Sequence, residues 1–271
     1  PWKHSFHCVE NSGSLVAMRR QGGMRRLIGI LAALLATPAF AASIYEVPEV
    51  AGEVVGAWDV NILADDVHFE TAAFVSKIRM RLAIAGTQTC KLWVFDALNR
   101  PPIHETAFTS IPAANEFDVS TYDFDMRLQV PKDIYVGFSA QVGGWGINGV
   151  DYWSWGSGVT QGIAGTAGQY YYGTVTGRQL TARYDAGNTS YGCMQILAEP
   201  VRIDDVEVAT GQVHLTISSL PIYATNAVQQ SGSAADTNWA EVETLPVGVS
   251  NHVWSATNHG APSSYYRVIT R

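Results

Sequence analysis

The chain has 271 residues, of which 47% are hydrophobic, 11% aromatic and 15% charged. It carries 24 acidic residues against 17 Lys and Arg; the first 41 residues hold five of those bases and one acid, so the remainder has 12 bases and 23 acids, a net charge of −11 with no basic run. That excludes nucleic acid and disfavours anionic membrane surfaces, since both are bound mainly through Lys and Arg.

Residues 1–23 show no periodic apolar pattern and read as an upstream or disordered leader. Met24-Arg25-Arg26 is then a short basic region, Leu27 to Ala36 an apolar run, and Thr37-Pro38-Ala39-Phe40-Ala41 a small-residue close of the A-x-A kind. This is the pattern of a signal peptide over 24–41, cleaved after Ala41. Ten apolar residues are too few to cross a hydrocarbon core of about 30 Å as a helix, and no later segment is longer. The expectation is an exported protein without a membrane span after cleavage: extracellular, on the cell surface or periplasmic. Cys90 and Cys193 are the two cysteines outside the leader. In an oxidising compartment they are candidates for a disulfide, the alternative being two buried thiols in strands.

From residue 42 onward strand signals dominate. SKIRMRLAIAG sets Ile78, Met80, Leu82 and Ile84 on one face and Lys77, Arg79 and Arg81 on the other. DIYVGFSAQV alternates in the same way, with Ile134, Val136, Phe138 and Ala140 on one side. KLWVFDA, MRLQV, QLTARYD, CMQILA, VHLTIS and AEVETL follow suit. Period-two alternation in short runs broken by Gly, Pro, Asn and Asp predicts an all-β protein of antiparallel sheets with one wet face. A proline and three acids at AEPVRIDD, 198–205, suggest a boundary. Residues 42–200 are enough for a jelly-roll-like sandwich, and 201–271 for a smaller sandwich.

Two stretches carry a resemblance. Trp58 to Leu82, with its Asp-Asp pair before an apolar strand, resembles the opening of a loose group of exported bacterial sandwich domains. The C-terminal segment, with Val213, Leu215 and Thr216, the strand end Val228-Gln229-Gln230-Ser231, Trp239 and the terminal Tyr266-Arg267-Val268, resembles the small fibronectin-type-III-like module of many secreted bacterial proteins. The resemblance implies a two-sandwich fold and no particular activity.

Catalytic patterns are near misses. HETAF at His104 lacks the second His of H-E-x-x-H, and GFSAQ at Gly137 has Gln141 where G-x-S-x-G needs glycine. Asp123 and Asp125, and likewise Glu241 and Glu243, share a strand face about 7 Å apart, but on a wet face such pairs are solvated charges rather than the opposed carboxylates of a glycosidase. No enzyme is expected. No cofactor is expected either, apart from a structural calcium at Asp65 and Asp66, near Asp59 and Asn61; the competing reading has these acids bonding a turn at the start of a strand.

The most unusual passage is GGWGINGVDYWSWGSG, 143–158, with the aromatic run that follows it to Gly173. Asp151 is its one charge. Flat rings with polar edges suit a sugar ring, so Trp145, Asn148, Asp151, Tyr152, Trp153, Trp155 and Tyr171 are the candidate ligand-binding residues. The competing reading has some of these rings filling a sandwich core, with Trp153 and Trp155 sharing a face. The function expected is non-catalytic binding or display, engaging polysaccharide or another envelope component; self-association as a surface-layer or matrix component is the alternative, and a polysaccharide-cleaving enzyme a third.

Overall fold

The computed structural model describes residues 15–19, 41–48, 54–58, 61–115, 117–140, 150–156, 158–165, 167, 169–185, 191–209, 212–233, 235, 237–257 and 263–271. These form strands and connecting turns, with no helix among them. In chain order the strands are β1 (Leu15–Arg19), β2 (Ala42–Glu46), β3 (Val54–Trp58), β4 (Asn61–His68), β5 (Ala73–Ala85), β6 (Thr89–Phe95), β7 (His104–Thr109), β8 (Pro112–Ala113), β9 (Ser120–Val130), β10 (Asp133–Ala140) and β11 (Val150–Gly156). They continue with β12 (Gln169–Thr174), β13 (Gln179–Asp185), β14 (Tyr191–Gly192), β15 (Met194–Ala198), β16 (Arg202–Ala209), β17 (Gln212–Ser218), β18 (Asn226–Ser231), β19 (Ala240–Thr244), β20 (His252–Thr257) and β21 (Ser263–Thr270).

The chain is all-β and divides into two compact units. Ala42–Ala198 is one; Glu199–Arg271 is the core of the other, to which β1 also belongs. In the first unit a six-stranded sheet runs β13-β12-β4-β10-β6-β7. An eight-stranded sheet runs β14-β11-β5-β15-β2, with β3 joined to β11, and β8 and β9 to β5. One apolar cluster draws on both: Leu63, Val67, Leu92, Val94, Val136 and Phe138 from the smaller sheet, Ile78, Met80, Leu82, Trp153, Met194 and Ile196 from the larger. The unit is therefore two layers around a shared core.

The alternation on β5 does this work as its sequence predicts. Ile78, Met80, Leu82 and Ile84 are fully buried. On the opposite face the Arg79 guanidinium forks onto Asp123 at 2.6 and 3.1 Å, and Lys77 meets Asp125 at 3.1 Å. Such exposed pairs each contribute at most about 1 kcal/mol.

β10 departs from expectation. Val136 and Phe138 enter the shared core, but the other face is not wet. Gly137 and Ser139 are buried as well, in a second cluster of Ile62, Ala64, Trp93, Phe95, Tyr171 and Leu180 on the far side of the six-stranded sheet. Space there is tight. A Cβ on Gly137 would stand 2.6 Å from the Ala64 Cβ, with the Leu63 carbonyl nearer still. Trp93 donates its indole N–H to Ser139 Oγ at 2.8 Å, so the one polar atom of that ring is satisfied.

The second unit has a four-stranded sheet, β1-β21-β18-β19, and a three-stranded sheet, β16-β17-β20. Its core holds Val213, Leu215, Ile217, Val228, Trp254, Tyr266 and Val268. Leu15–Arg19 falls in the stretch whose sequence reads as a disordered leader, yet it runs antiparallel along β21, Leu15 beside Arg267 and Arg19 beside Ser263.

The expected disulfide is not formed: Cys90 and Cys193 are both buried thiols. Cys90 pairs with Ala140 within the six-stranded sheet, whereas Cys193 lies between β14 and β15 of the other sheet. Facing sheets stand about 10 Å apart, more than the ~7 Å between Cα atoms that a disulfide can span. Cys193 Sγ lies 3.5 Å from the Pro48 carbonyl and Cys90 Sγ 3.9 Å from that of Gln88. The unfolding midpoint should therefore be the same with and without reductant.

Trp153 is 0% exposed. It stands edge-on to Phe138 with centroids 6.1 Å apart, and donates its N–H to the Cys193 carbonyl at 3.1 Å. Gly192 makes room for it, since a Cβ there would lie 2.6 Å from the indole ring. Gly192→Ala should lower stability by about 1–3 kcal/mol, the usual cost of overpacking, in denaturant unfolding. Gly158→Ala, where nothing lies within 4 Å of the added carbon, should stay within about 0.5 kcal/mol.

Candidate functional site

β4 is the central element. Residues along a strand alternate between faces. Leu63, Asp65 and Val67 thus look into the shared core, and Ile62, Ala64, Asp66 and His68 onto the far face of the six-stranded sheet. Asp65 is fully buried. Its Oδ2 accepts the Gly192 amide of the opposite sheet at 2.7 Å, and Oδ1 accepts the Asp66 amide at 3.0 Å. Burial, with the neighbouring Asp66 adding to it against the two amides, raises the Asp65 carboxyl well above the usual carboxylate range. Tyr45 and Tyr191 flank it. Burial first, then Asp65 and Asp66, raises the phenol of each. The Tyr45 hydroxyl is buried without a hydrogen-bond partner among the described residues.

A connector spanning residues 158–165 ties the two sheets here. Gln161 bridges to Glu46 at the end of β2, and Ile163 to His68 at the end of β4. The Ile163 amide donates to the His68 carbonyl at 3.1 Å, and the Tyr191 hydroxyl donates to the Gly165 carbonyl at 3.4 Å. Gly165 is pressed against Asp66: a Cβ there would be 2.7 Å from the carboxyl group.

On the far face, His68 lies between two carboxylates. Its Nε2 is 3.1 Å from Asp66 Oδ2 and its Nδ1 2.8 Å from Asp133 Oδ1. Burial opposes the charged imidazole, but hydrogen bonds to Asp133 and then Asp66 outweigh it, so the ring is raised from its ordinary value. Asp133 is held there by register, because β10 pairs Asp133 with His68 and Tyr135 with Asp66. The half-buried Tyr135 ring meets Tyr171 edge-on, with centroids 4.7 Å apart. Burial and then Asp66 push the Tyr171 phenol up to about 12. Gln169, two residues before Tyr171 on the same face of β12, is buried, and its Oε1 has no partner among the described residues. One sheet face thus combines two phenol rings, a doubly bonded imidazole, two carboxylates and a carboxamide.

Of the residues the sequence singled out, this cluster takes Asp66 and Tyr171, while Asp65 lies on the opposite face of β4, bonded to Gly192. Trp153 is excluded as a ligand-binding residue, because it is sealed between the sheets. Trp145 and Asn148 lie outside the described residues. Asp151, Tyr152 and Trp155 lie on β11, with side chains outside the described set. Tyr170 joins the shared core and Tyr172 packs against it.

Of the acids the calcium reading groups, Asp59 lies outside the described residues, and Asp65 and Asp66 point to opposite faces of β4. Both Asp65 oxygens face backbone N–H donors. Among the described residues no group of three or more His, Cys, Asp or Glu is arranged to hold a metal ion. The other carboxylate pairs have structural partners. Asp123 and Asp125 are ion-paired as above; Glu241 pairs with Arg271, and Glu243 accepts the Trp254 indole N–H at 3.0 Å.

His68, Asp133 and Tyr135 escaped the sequence reading. The pairing that joins His68 to Asp133 spans 65 residues, and local pattern cannot reveal it. The signal that was available is the polar triplet Asp65-Asp66-x-His68 inside an otherwise apolar strand. No family model and no curated protein matches the chain.

The raised imidazole has a definite pH signature. Its stabilising contribution is complete below the unfolded-state value of about 6.5 and fades as pH rises through the folded-state value. The loss of thermal stability in His68→Gln relative to the parent should be larger at pH 5 than at pH 9. A loss that is equal at both, or larger at pH 9, would contradict the two-carboxylate bonding.

Proposed function

We propose that this is an exported, non-catalytic binding protein. In this reading 42–198 is a jelly-roll-like module that engages a neutral polysaccharide of the cell envelope, and 199–271 a fibronectin-type-III-like module that displays it. The supporting observation is the open side of the far-face cluster, where the half-buried Tyr135 and His68 and the exposed Asp133 stand over the buried Asp66, Tyr171 and Gln169. Sugar recognition needs this mixture: an apolar ring for the C–H face, and fixed donors and acceptors for the hydroxyls. Tyr171 brings the aromatic 143–173 stretch into the site.

The chemistry favours binding over turnover. A general acid–base histidine presents one nitrogen to its substrate, whereas both nitrogens of His68 are engaged by carboxylates. Two carboxylates against one imidazole also favour an uncharged polyol over an anionic glycan.

The test is calorimetry against soluble neutral polysaccharides. Tyr135→Ala and Asp133→Asn should each weaken binding by about tenfold, or ~1.4 kcal/mol. Phe117→Ala, at an exposed ring on the 111–118 connector, should leave it unchanged. If no neutral glycan binds, or if Tyr135→Ala binds like the parent, the reading fails.

A further inference from the structure

The edge of β21 has a property that the glycan-binding reading does not use. β21 is paired to β18 on one side, Asn226 beside Thr270 through Ser231 beside Tyr265. On the other side it is covered by β1, from Ser263 to Arg267. That cover comes from the segment that the export reading removes with residues 1–41. Without β1, β21 presents a row of backbone N–H and C=O groups, a template for another strand. Its sequence, SSYYRVIT, contains no proline and no acid. β19, at the opposite end of the sheet, differs: it carries Glu241 and Glu243 and is exposed along its whole length, a charged edge of the kind that discourages pairing.

We propose that β21 is a strand-acceptor edge, covered by β1 in the full chain and joined, where residues 1–41 have been removed, to β21 of a second copy. The inference rests on the export reading for its timing, but not on glycan binding. Register selects the partner. Tyr266 and Val268 face the core of their unit, while Arg267 faces away, bonded to Gln229 at 2.8 Å with its guanidinium 4.5 Å from the Trp239 ring centroid. An antiparallel pair with its two-fold at Tyr266 keeps inward residues opposite inward ones, so both cores continue across the joint. It sets Arg267 opposite Tyr265 of the partner subunit. A two-fold at Arg267 would place like charges directly opposite, which is destabilising, and one at Tyr265 would leave the end of the strand unpaired. The isologous geometry closes as a dimer and does not propagate into a fibre.

Light scattering on the full chain tests this. The parent, with β1 seated, should be monomeric. Val16→Pro/Ala17→Pro, which removes adjacent amides of β1 so that one ladder donor to β21 is lost, should dimerise with rising concentration, and a peptide of residues 13–21 should return it to monomer. In that background Tyr265→Cys/Arg267→Cys should give a disulfide-linked dimer on oxidation. Processing of the folded parent by a signal peptidase is a second route to the same edge, independent of the prolines, and should also yield dimer. A proline variant or a processed chain that stays monomeric at every concentration overturns the proposal. So does a dimer that the peptide does not displace.

Discussion

The first unit is organised around one buried carboxyl. Asp65 projects from β4 into an apolar layer and ends on the amide of Gly192 in the facing sheet. Burying such a group is costly unless its oxygens are bonded, and here both are. Removing the carboxyl would leave two buried amides without acceptors, at about 1–3 kcal/mol each. The contact also sets local sequence limits. Residue 192 must bring its backbone up to Asp65 while lying under the Trp153 ring, so a side chain there has nowhere to go. Trp153 in turn fills the space against Phe138 and fixes β11 on β5.

The second constraint is that the middle strands of the six-stranded sheet, β4 and β10, are buried on both faces. A strand buried on two sides cannot use alternation to separate apolar from polar residues, so polar groups on it have to find partners. β4 and β10 meet that condition by pairing theirs with each other: Asp66 and His68 lie beside Tyr135 and Asp133. The cluster is thus a consequence of the packing, and it reaches the surface only through Asp133 and the half-buried His68 and Tyr135. Ser139, satisfied by the Trp93 indole, solves the same problem on the neighbouring strand.

What could be read in advance follows from these constraints. Alternation on β5 was legible because its second face is wet, and Ile78, Met80, Leu82 and Ile84 all turn inward. The all-β class was legible for a similar reason. Alternation also grouped Trp153 with Trp155, but it cannot say which face is the core, and Trp153 turns out to be filler rather than platform. Asp65 and Asp66 stood out as an acidic pair, read as a calcium site or as acids bonding a turn at the start of a strand, whereas they lie within β4. Their roles did not, because the bonds that define them come from Gly192 and His68, and the first of these spans the two layers. The cysteine pair illustrates the same limit: two strands can be suitable hosts and still lie in different sheets. The strand at Leu15–Arg19 carries no periodic signal, since an edge strand can be held by its backbone alone.

The order of the six-stranded sheet has a kinetic consequence. β4 is among the first strands synthesised, yet its neighbours are β10 and β12: His68 waits for Asp133, and Asn61 for Thr174. No hairpin can satisfy it in the meantime. Ordering it requires closing long loops before any contact compensates the lost entropy, which makes folding slow for a given stability. With Cys90 and Cys193 both thiols, completion of the sheet depends on the arrival of β10 and β12 rather than on any oxidant.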